Sequence, residues 1–445
     1  MMRKTILPLI AILFLFPILT YSQSQNFTLE EAIQVALDNN YELKQAKNNV
    51  DLSVYNERSA MADFLPSLSA NASRGRNIGR QFDNTTGDFG DFTINSFSMG
   101  MNSSITIFNG FSNINSLRAS RHDKVSSEEQ LQRVKENIIF TTASRYLQYI
   151  LNVELLKIAE DNLETSLQQL EQVRAQVEVG SRPSVDLLNQ ESIVANNELA
   201  VVNSENNVQF SRLQLIRTMQ IDPLQEYNFQ VPDVEDMAVM PQEYSLQELV
   251  ATALENRSDL KSEQESIQAA LFNLKVARSN YYPTLSFSTS VRTSYNDRNP
   301  FSYTEQLQDQ NISRNLGFSL NIPIFNGLNV RESVRAQEIS YKNAQLSLEN
   351  TRLNVVQEVN QAYNDYIALV KELESTEKAF IAAERAFETE QQRYEVGATT
   401  LIELSQANNA FIEAQSNRIQ SMYNFIFQEK LLDYYIGRLD EQIEI

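Results

Sequence analysis

The side chains that carry most enzymatic and metal chemistry are nearly absent from this chain. It has one histidine, His122, and no cysteine. A zinc site built from those ligands is therefore unavailable, and imidazole base chemistry has a single candidate. His122 lies in a polar run near the start of a long helical stretch, where an exposed helical residue is expected. No Walker A, G-x-G-x-x-G or G-x-S-x-G sequence occurs. The segment from Asp83 to Asp91 holds three aspartates and two glycines and could hold calcium, but it lacks EF-hand spacing and reads as a solvated loop. Neither an enzyme nor a cofactor or metal centre is expected.

What the chain has in place of a reactive constellation is a duplication. Leu65-Pro66-Ser67-Leu68 recurs as Tyr282-Pro283-Thr284-Leu285, Ile107-Phe108-Asn109-Gly110 as Ile324-Phe325-Asn326-Gly327, and Glu178-Val179-Gly180 as Glu395-Val396-Gly397. The offset is 217 residues each time, from Pro66 to Pro283, Gly110 to Gly327 and Gly180 to Gly397. That is far beyond the period of a solenoid and points to two copies of a half-molecule about a shared axis.

Each copy contains a stretch without Gly or Pro, from Phe111 to Val179 and from Leu328 to Val396. The second carries Val355, Val359, Ala362, Tyr366, Leu369, Leu373, Thr376, Phe380, Ala383 and Phe387 in alternating steps of four and three. This heptad-like period makes helices wrap around one another. The first copy has a weaker stripe of Leu156, Leu163, Leu167, Leu170, Val173 and Val177. Such helices would be roughly 100 Å long. Gly180 and Gly397 supply left-handed ends, Pro183 stops and restarts the chain, and Ser184 or Thr400 can cap the returning helix. Each half thus contributes a long antiparallel helical hairpin.

Ahead of each hairpin lies a strand pair. Leu285, Phe287, Thr289, Val291, Thr293 and Tyr295 alternate with Ser286, Ser288, Ser290, Arg292 and Ser294, and Leu316, Phe318, Leu320, Ile322 and Ile324 with Asn315, Gly317, Ser319, Asn321 and Pro323. In the first half Phe97, Met99, Met101, Ser103, Ile105 and Ile107 form one face, with a fainter partner carrying Leu68, Ala70 and Ala72. One apolar and one polar face suit either a soluble sandwich or an outer-membrane barrel with lipid outside and a wet lumen. The barrel is favoured, because these strands must cap a helical column and do not close a core. The segments Arg74 to Asp91 and Asn296 to Asn311 read as polar outer loops, and Phe64, Tyr281 and Tyr282 as interfacial aromatics or local packing. Four strands cannot close a barrel and open edges are not tolerated in lipid, so the chain must oligomerise.

The address agrees. Met1-Met2-Arg3-Lys4 precedes an apolar run from Thr5 to Tyr21 and a polar stretch, the pattern of a signal peptide. Cleavage could use Thr20/Ser22 or Ser22/Ser24; a retained anchor is opposed by the short run and by Pro8 and Pro17. The net charge of −20 argues against nucleic acid as a partner. The expected organisation is a signal peptide at 1–24 and a first repeat at 25–221, with strands about 66–80 and 93–108 and a hairpin about 112–220. A linker at 222–244 leads to a second repeat at 245–445, with strands about 284–296 and 313–325 and a hairpin about 329–437.

The leading Thr28-Leu29-Glu30-Glu31-Ala32 helix, the Leu-Pro-x-Leu strand entry, the Ile-Phe-Asn-Gly strand-to-helix turns (Asn109-Gly110, Asn326-Gly327) and the Val-Gly helix tips occur in order and twice in register. In these features the chain resembles the TolC-type outer-membrane efflux proteins over nearly all of its mature length. The resemblance implies a mainly helical fold with a transmembrane β part. It implies a homotrimer with twelve strands in outer-membrane lipid, a helical barrel across the periplasm, and an inner-membrane transporter joined through a periplasmic adaptor. It also implies a gate at the helix tips. Asp186 and Glu403, six residues past the tip glycines, match the acids of the constriction, while Asn189 and Gln406 stand where the family often has further acids. Tyr394 matches a latch tyrosine; the basic latch position is Thr399 in the second half and Arg182 in the first. Asp186 and Glu403 also suit a helix dipole, and Tyr394 ordinary seam packing. The function expected is an outer-membrane exit duct of a tripartite efflux or type I secretion system; the alternative is a secreted coiled-coil scaffold or adhesin without a pore.

Overall fold

Absence of Gly and Pro has the expected consequence: α3 (Ser112–Glu178) and α8 (Asn329–Glu395) are unbroken helices of 67 residues each. They return as α4 (Ser184–Met219) and α9 (Leu401–Tyr435). The computed structural model describes residues 25–83, 87–231 and 241–438. The expected signal peptide with its cleavage sites, residues 84–86 of the acidic segment and residues 232–240 of the expected linker lie outside the described residues.

The remaining elements lead into the two hairpins. In the first half β1 (Gln25–Phe27), α1 (Leu29–Asn39), α2 (Tyr41–Ala62), β2 (Ser67–Asp83) and β3 (Asp88–Asn109) precede α3. β4 (Tyr227–Phe229) follows α4, and α5 (Leu246–Asn256), α6 (Ser258–Ser279), β5 (Thr284–Asn296), a short α7 (Tyr303–Glu305) and β6 (Ser313–Asn321) precede α8. A capping box closes the start of α1, with Thr28 and Glu31 exchanging hydrogen bonds. β1 and β4 form a small parallel pair. No described helix is long and apolar enough to cross a membrane.

The other four strands form one antiparallel sheet in the order β2-β3-β5-β6. Its register sorts the side chains cleanly, because residues directly opposite share a face. Leu285 faces Leu320, Phe287 faces Phe318, Met101 faces Val291, and Ala70 and Ala72 face Met101 and Met99. The opposite face is Ser67, Ser69, Asn71 and Ser73, then Ser104 and Asn102, then Ser286, Ser288 and Ser290, then Ser319 and Asn315. A bulge between Thr106 and Phe108 pairs Phe108 with Leu285, so Phe108 and not Ile107 continues the apolar face.

Both expected outer loops turn out to be structured. β2 and β3 stay paired out to Asp83 and Asp88, so most of Arg74 to Asp91 is strand. Alternation fades there although pairing does not. After Asn296 the chain forms α7 and a π-helical turn over Gln306–Gln310. Gln306, fully buried, donates to the carbonyls of Asn296 and Phe301 and accepts from the Asn296 amide.

The core lies midway along the helices. Ile33, Ile139, Tyr146, Ile150, Leu215, Met219 and Ile426 are buried together, with the Tyr146 hydroxyl 2.9 Å from the Phe27 carbonyl and 2.7 Å from that of Gln230. A second cluster gathers Val355, Val359, Ala362 and Tyr366 of the heptad stripe with Leu249, Phe425 and Leu432. The weaker first stripe holds less well. Leu167 is exposed, and the buried residue beside it is Ser166, whose hydroxyl donates to the Leu163 carbonyl while its own carbonyl accepts from Gln190. His122 is not a free surface residue either: Nδ1 lies 2.6 Å from Glu265 Oε2, and the ring stacks on Phe272.

Candidate functional site

The two helix tips are built by the same backbone device. Gly180 (φ 74°) and Gly397 (φ 75°) take the left-handed conformation, and the amides of Ser181 and Ala398 reach back to the carbonyls of Gln176 and Arg393. The return helices start differently. Thr400 caps α9 through its side chain, as expected. Ser184 does not cap α4: extended Pro183 takes the N-cap position, and Ser184 is already helical.

This difference sorts the two acids. Glu403 is committed to its own helix start, with Oε2 accepting from Thr399 Oγ1 at 2.6 Å and from the Thr400 amide at 3.1 Å. Those hydrogen bonds, Thr399 first and then Thr400, hold its carboxyl below the usual range. Asp186 lies 3.7 Å from the guanidinium of Arg182. No described hydrogen bond or ion pair joins Asp186 to Glu403. Asn189 and Gln406 are exposed. Next to Asn189, fully buried Gln190 donates to the Ser166 carbonyl at 2.9 Å.

The contact that joins the two tips involves Arg182 and Tyr394. The guanidinium of Arg182 stacks 4.0 Å from the centroid of the Tyr394 ring, within cation–π range. Tyr394 is buried with Val173, Leu401 and Leu404, and Val177, Leu187 and Phe387 pack around them. Burial pushes its phenol up, with the Arg182 charge opposing. Arg182, Asp186 and Tyr394 thus form one cluster that fastens the first tip to the second inside a single protomer. Sequence reading named all three residues but not their contact, since Arg182 and Tyr394 belong to different repeats.

At the other end, the strand-to-helix turns pair a left-handed glycine with a left-handed bulky residue: Gly110 with Phe111, and Gly327 with Leu328. Asn109 exchanges hydrogen bonds with Asn113, which donates to the Asp63 carbonyl. Gly110 is pressed so closely on α6 that an added Cβ would stand 2.6 Å from the Ser279 carbonyl and 2.8 Å from Tyr282 Cβ. Asn326 accepts the Asn329 amide, and Gly327 meets nothing within 4 Å.

The tips, the two-faced sheet and the repeat have close parallels. The family described as outer membrane efflux protein matches residues 32–219 and 249–438, one stretch in each half. Outer membrane protein TolC of Escherichia coli is 22% identical over 99% of this chain and 87% of its own length. The pyoverdine export outer membrane protein OpmQ of Pseudomonas aeruginosa is 25% identical over 88% and 81%. Among solved structures, the CmeC outer membrane channel of Campylobacter jejuni superposes with a TM-score of 0.80 at 18% identity, covering 94% of this chain and 87% of that one. The outer membrane protein VceC of Vibrio cholerae gives 0.78 at 16% identity, covering 92% and 96%. A pore-free scaffold is thereby set aside. The chain belongs to the outer membrane efflux protein family, and it is a non-enzymatic channel of the outer membrane whose helical part stands in the periplasm.

Proposed function

We propose that three copies of the chain assemble into an exit duct that receives cargo from an inner-membrane transporter through a periplasmic adaptor. The helix tips form its resting gate. The observation that carries the assembly is a match of registers. Ser67 pairs with Ser104 in β2–β3 and Thr284 with Asn321 in β5–β6, which is the same pair moved by the repeat offset. The joint between hairpins, β3–β5, occurs once inside the protomer, and its counterpart, β6–β2, needs a second copy. The helices ask for the same neighbour. α6 packs on both α3 and α8, whereas α2 packs on α3, so the repeat calls for α2 of an adjoining copy on α8. An exposed row of Ile339, Leu346 and Leu353, seven residues apart on α8, suits such a seam. Three copies of four strands make a twelve-stranded barrel, within the known range.

Moving the pair Asn102–Ser290 by the offset sets Ser319 of one copy opposite Ser73 of the next. The chain has no cysteine, so Ser73→Cys with Ser319→Cys gives a clean test. Opposed strand residues have Cα atoms about 4.5–5.5 Å apart, suitable for a disulfide. Oxidation of outer membranes should yield a covalent ladder ending at the trimer. Asn71→Cys with Ser319→Cys, two residues out of register, should yield little. Equal yields from both pairs, or a ladder stopping at the dimer, would overturn the assembly.

In the gate, Arg182 holds Tyr394 and Asp186 holds Arg182. The latch is carried by the first tip, where Arg182 occupies the position that Thr399 occupies in the second. Adaptor binding favours the state in which the tips separate, and cargo passes without chemistry on the duct itself.

A further inference from the structure

Three arginines stand on the face of the sheet that should meet lipid. β2 carries Arg74, Arg76 and Arg80, and its register puts Arg74 opposite Phe97, which is opposite Tyr295. Along the same face of β2 come Leu68, Ala70 and Ala72, opposite Ser103, Met101 and Met99. The arginines therefore continue the apolar face beyond its apolar band, towards the tip of the β2–β3 hairpin. They are not lumenal: the polar face has its own arginine, Arg292, lying across Gly100.

All three are exposed, and none makes a hydrogen bond or ion pair with another described residue. The acids on their face are Asp91, opposite Arg80, and Asp297, whose carboxylate is taken up by the amide and side chain of Asn95 opposite Arg76. A chain with a net charge of −20 has no general attraction for anions, so this basic group is local and set by strand position. The proposed assembly enlarges it. Moving the pair Phe97–Tyr295 by the repeat offset sets Arg314 of an adjoining copy opposite Ile78, between Arg76 and Arg80. Guanidinium groups take phosphate oxygens two at a time, and their long stems lie along apolar surface while the charged ends reach the headgroup level.

We infer that Arg74, Arg76 and Arg80, joined by Arg314 of an adjoining copy, form a binding site on the outer surface of the barrel for the anionic phosphates of membrane-lipid headgroups, at the distal edge of the apolar band. This rests on the assembly and on the outward orientation of the apolar face proposed above. The site would anchor the barrel's height in the membrane and hold a ring of lipid around it.

The test is native mass spectrometry of the purified full-length oligomer in mild detergent with added phosphatidic acid or phosphatidylcholine. The unaltered protein should retain phosphatidic acid in preference. Arg74→Gln, Arg76→Gln and Arg80→Gln together should cut that retention at least about tenfold, since each surface arginine is worth roughly fivefold against anionic lipid. The corresponding lysine triple variant should keep an intermediate preference, and Arg292→Gln should keep all of it. Unchanged retention in the glutamine variant overturns the site, as does loss of retention in Arg292→Gln. Displacement of the lipid by millimolar inorganic phosphate would assign the arginines to a soluble anion and overturn the lipid assignment. The Ser73/Ser319 disulfide, introduced into the glutamine variant, separates the failures. If the covalent trimer forms without a change in lipid preference, the site falls and the assembly stands; if the unaltered sheet never crosslinks, the assembly itself falls.

Discussion

In the proposed gate, Arg182 connects tip chemistry to channel state. Its guanidinium lies over a nearly buried tyrosine and near Asp186, so its removal takes away a desolvated cation–π contact and an ion pair together. The first is worth about 1–2 kcal/mol and the second less. Arg182→Ala should therefore shift the closed–open balance about tenfold or more towards open, read as more frequent openings in a planar bilayer. Tyr394→Phe should keep the channel shut, because the ring and not the hydroxyl meets the guanidinium. Unaltered gating in Arg182→Ala would remove the latch. The two tip acids should behave differently from each other. Glu403→Gln preserves a capping box and should leave gating intact, whereas Glu403→Ala frays the start of α9. Leak in both variants would mean that the Glu403 charge itself acts at the constriction. Sequence reading reached these residues through the resemblance to the TolC-type family, positioned by counting from the tip glycines. What it could not reach is that Arg182 turns towards Tyr394, since contacts between residues of different repeats leave no periodic trace.

Elements here are joined by polar groups that no motif announced. The start of α6 presents Arg257, only 3% exposed, which donates to Asp259 and to Glu358 of α8 at 2.6 Å. Arg133 of α3 lies beside Asp259, bonds Glu136, and stacks over Tyr434 of α9. Four long or middle-length helices meet at these charges. Burial alone would raise the Asp259 carboxyl, but hydrogen bonding to Arg257 and the charges of Arg257 and Arg133 outweigh it and hold the group below its usual range. A depressed carboxylate contributes stability that is fully present above its unfolded value of about 3.9 and is lost as pH falls through the folded value. Asp259→Asn should cost about 2–4 kcal/mol at pH 7, because it leaves a buried arginine half-paired. Its thermal midpoint should converge on that of the unaltered protein in strong acid. A constant difference down to pH 2 would show that packing and not charge is responsible. The helices themselves were legible from their Gly- and Pro-free length and heptad steps, and the strands from alternation. The hairpin's distal half was not, because pairing continues past Arg74 where alternation fades and only backbone hydrogen bonds remain as a cause.

At the scale of the whole molecule, the repeat makes one protomer a record of how the next must dock. Gly110 is wedged against Ser279 and Tyr282 of the second half, where no side chain fits. The residues that correspond to those two under the offset are Ala62 and Leu65, and Gly327 corresponds to Gly110. Inside the protomer Gly327 has free space, so in the proposed assembly the close approach made at Gly110 would be repeated at Gly327 by Ala62 and Leu65 of an adjoining copy. This separates two substitutions that look alike in one dimension. Both glycines sit at positive φ, so alanine costs roughly 1–2 kcal/mol of backbone strain at either. Gly110→Ala adds a clash within the chain and should lower folding yield. Gly327→Ala should fold with near-normal helix content yet lose trimer on a non-denaturing gel, because its Cβ occupies the space of the next copy. Gly397→Ala, at positive φ but in open space at the tip, carries the strain alone and should leave the trimer intact. Equal trimer loss in Gly327→Ala and Gly397→Ala would trace the effect to strain and break the argument that the internal joint is repeated between copies. Loss confined to Gly327→Ala would mean that the contact surfaces of the channel were already written inside each subunit, and that duplication supplied the assembly together with the fold.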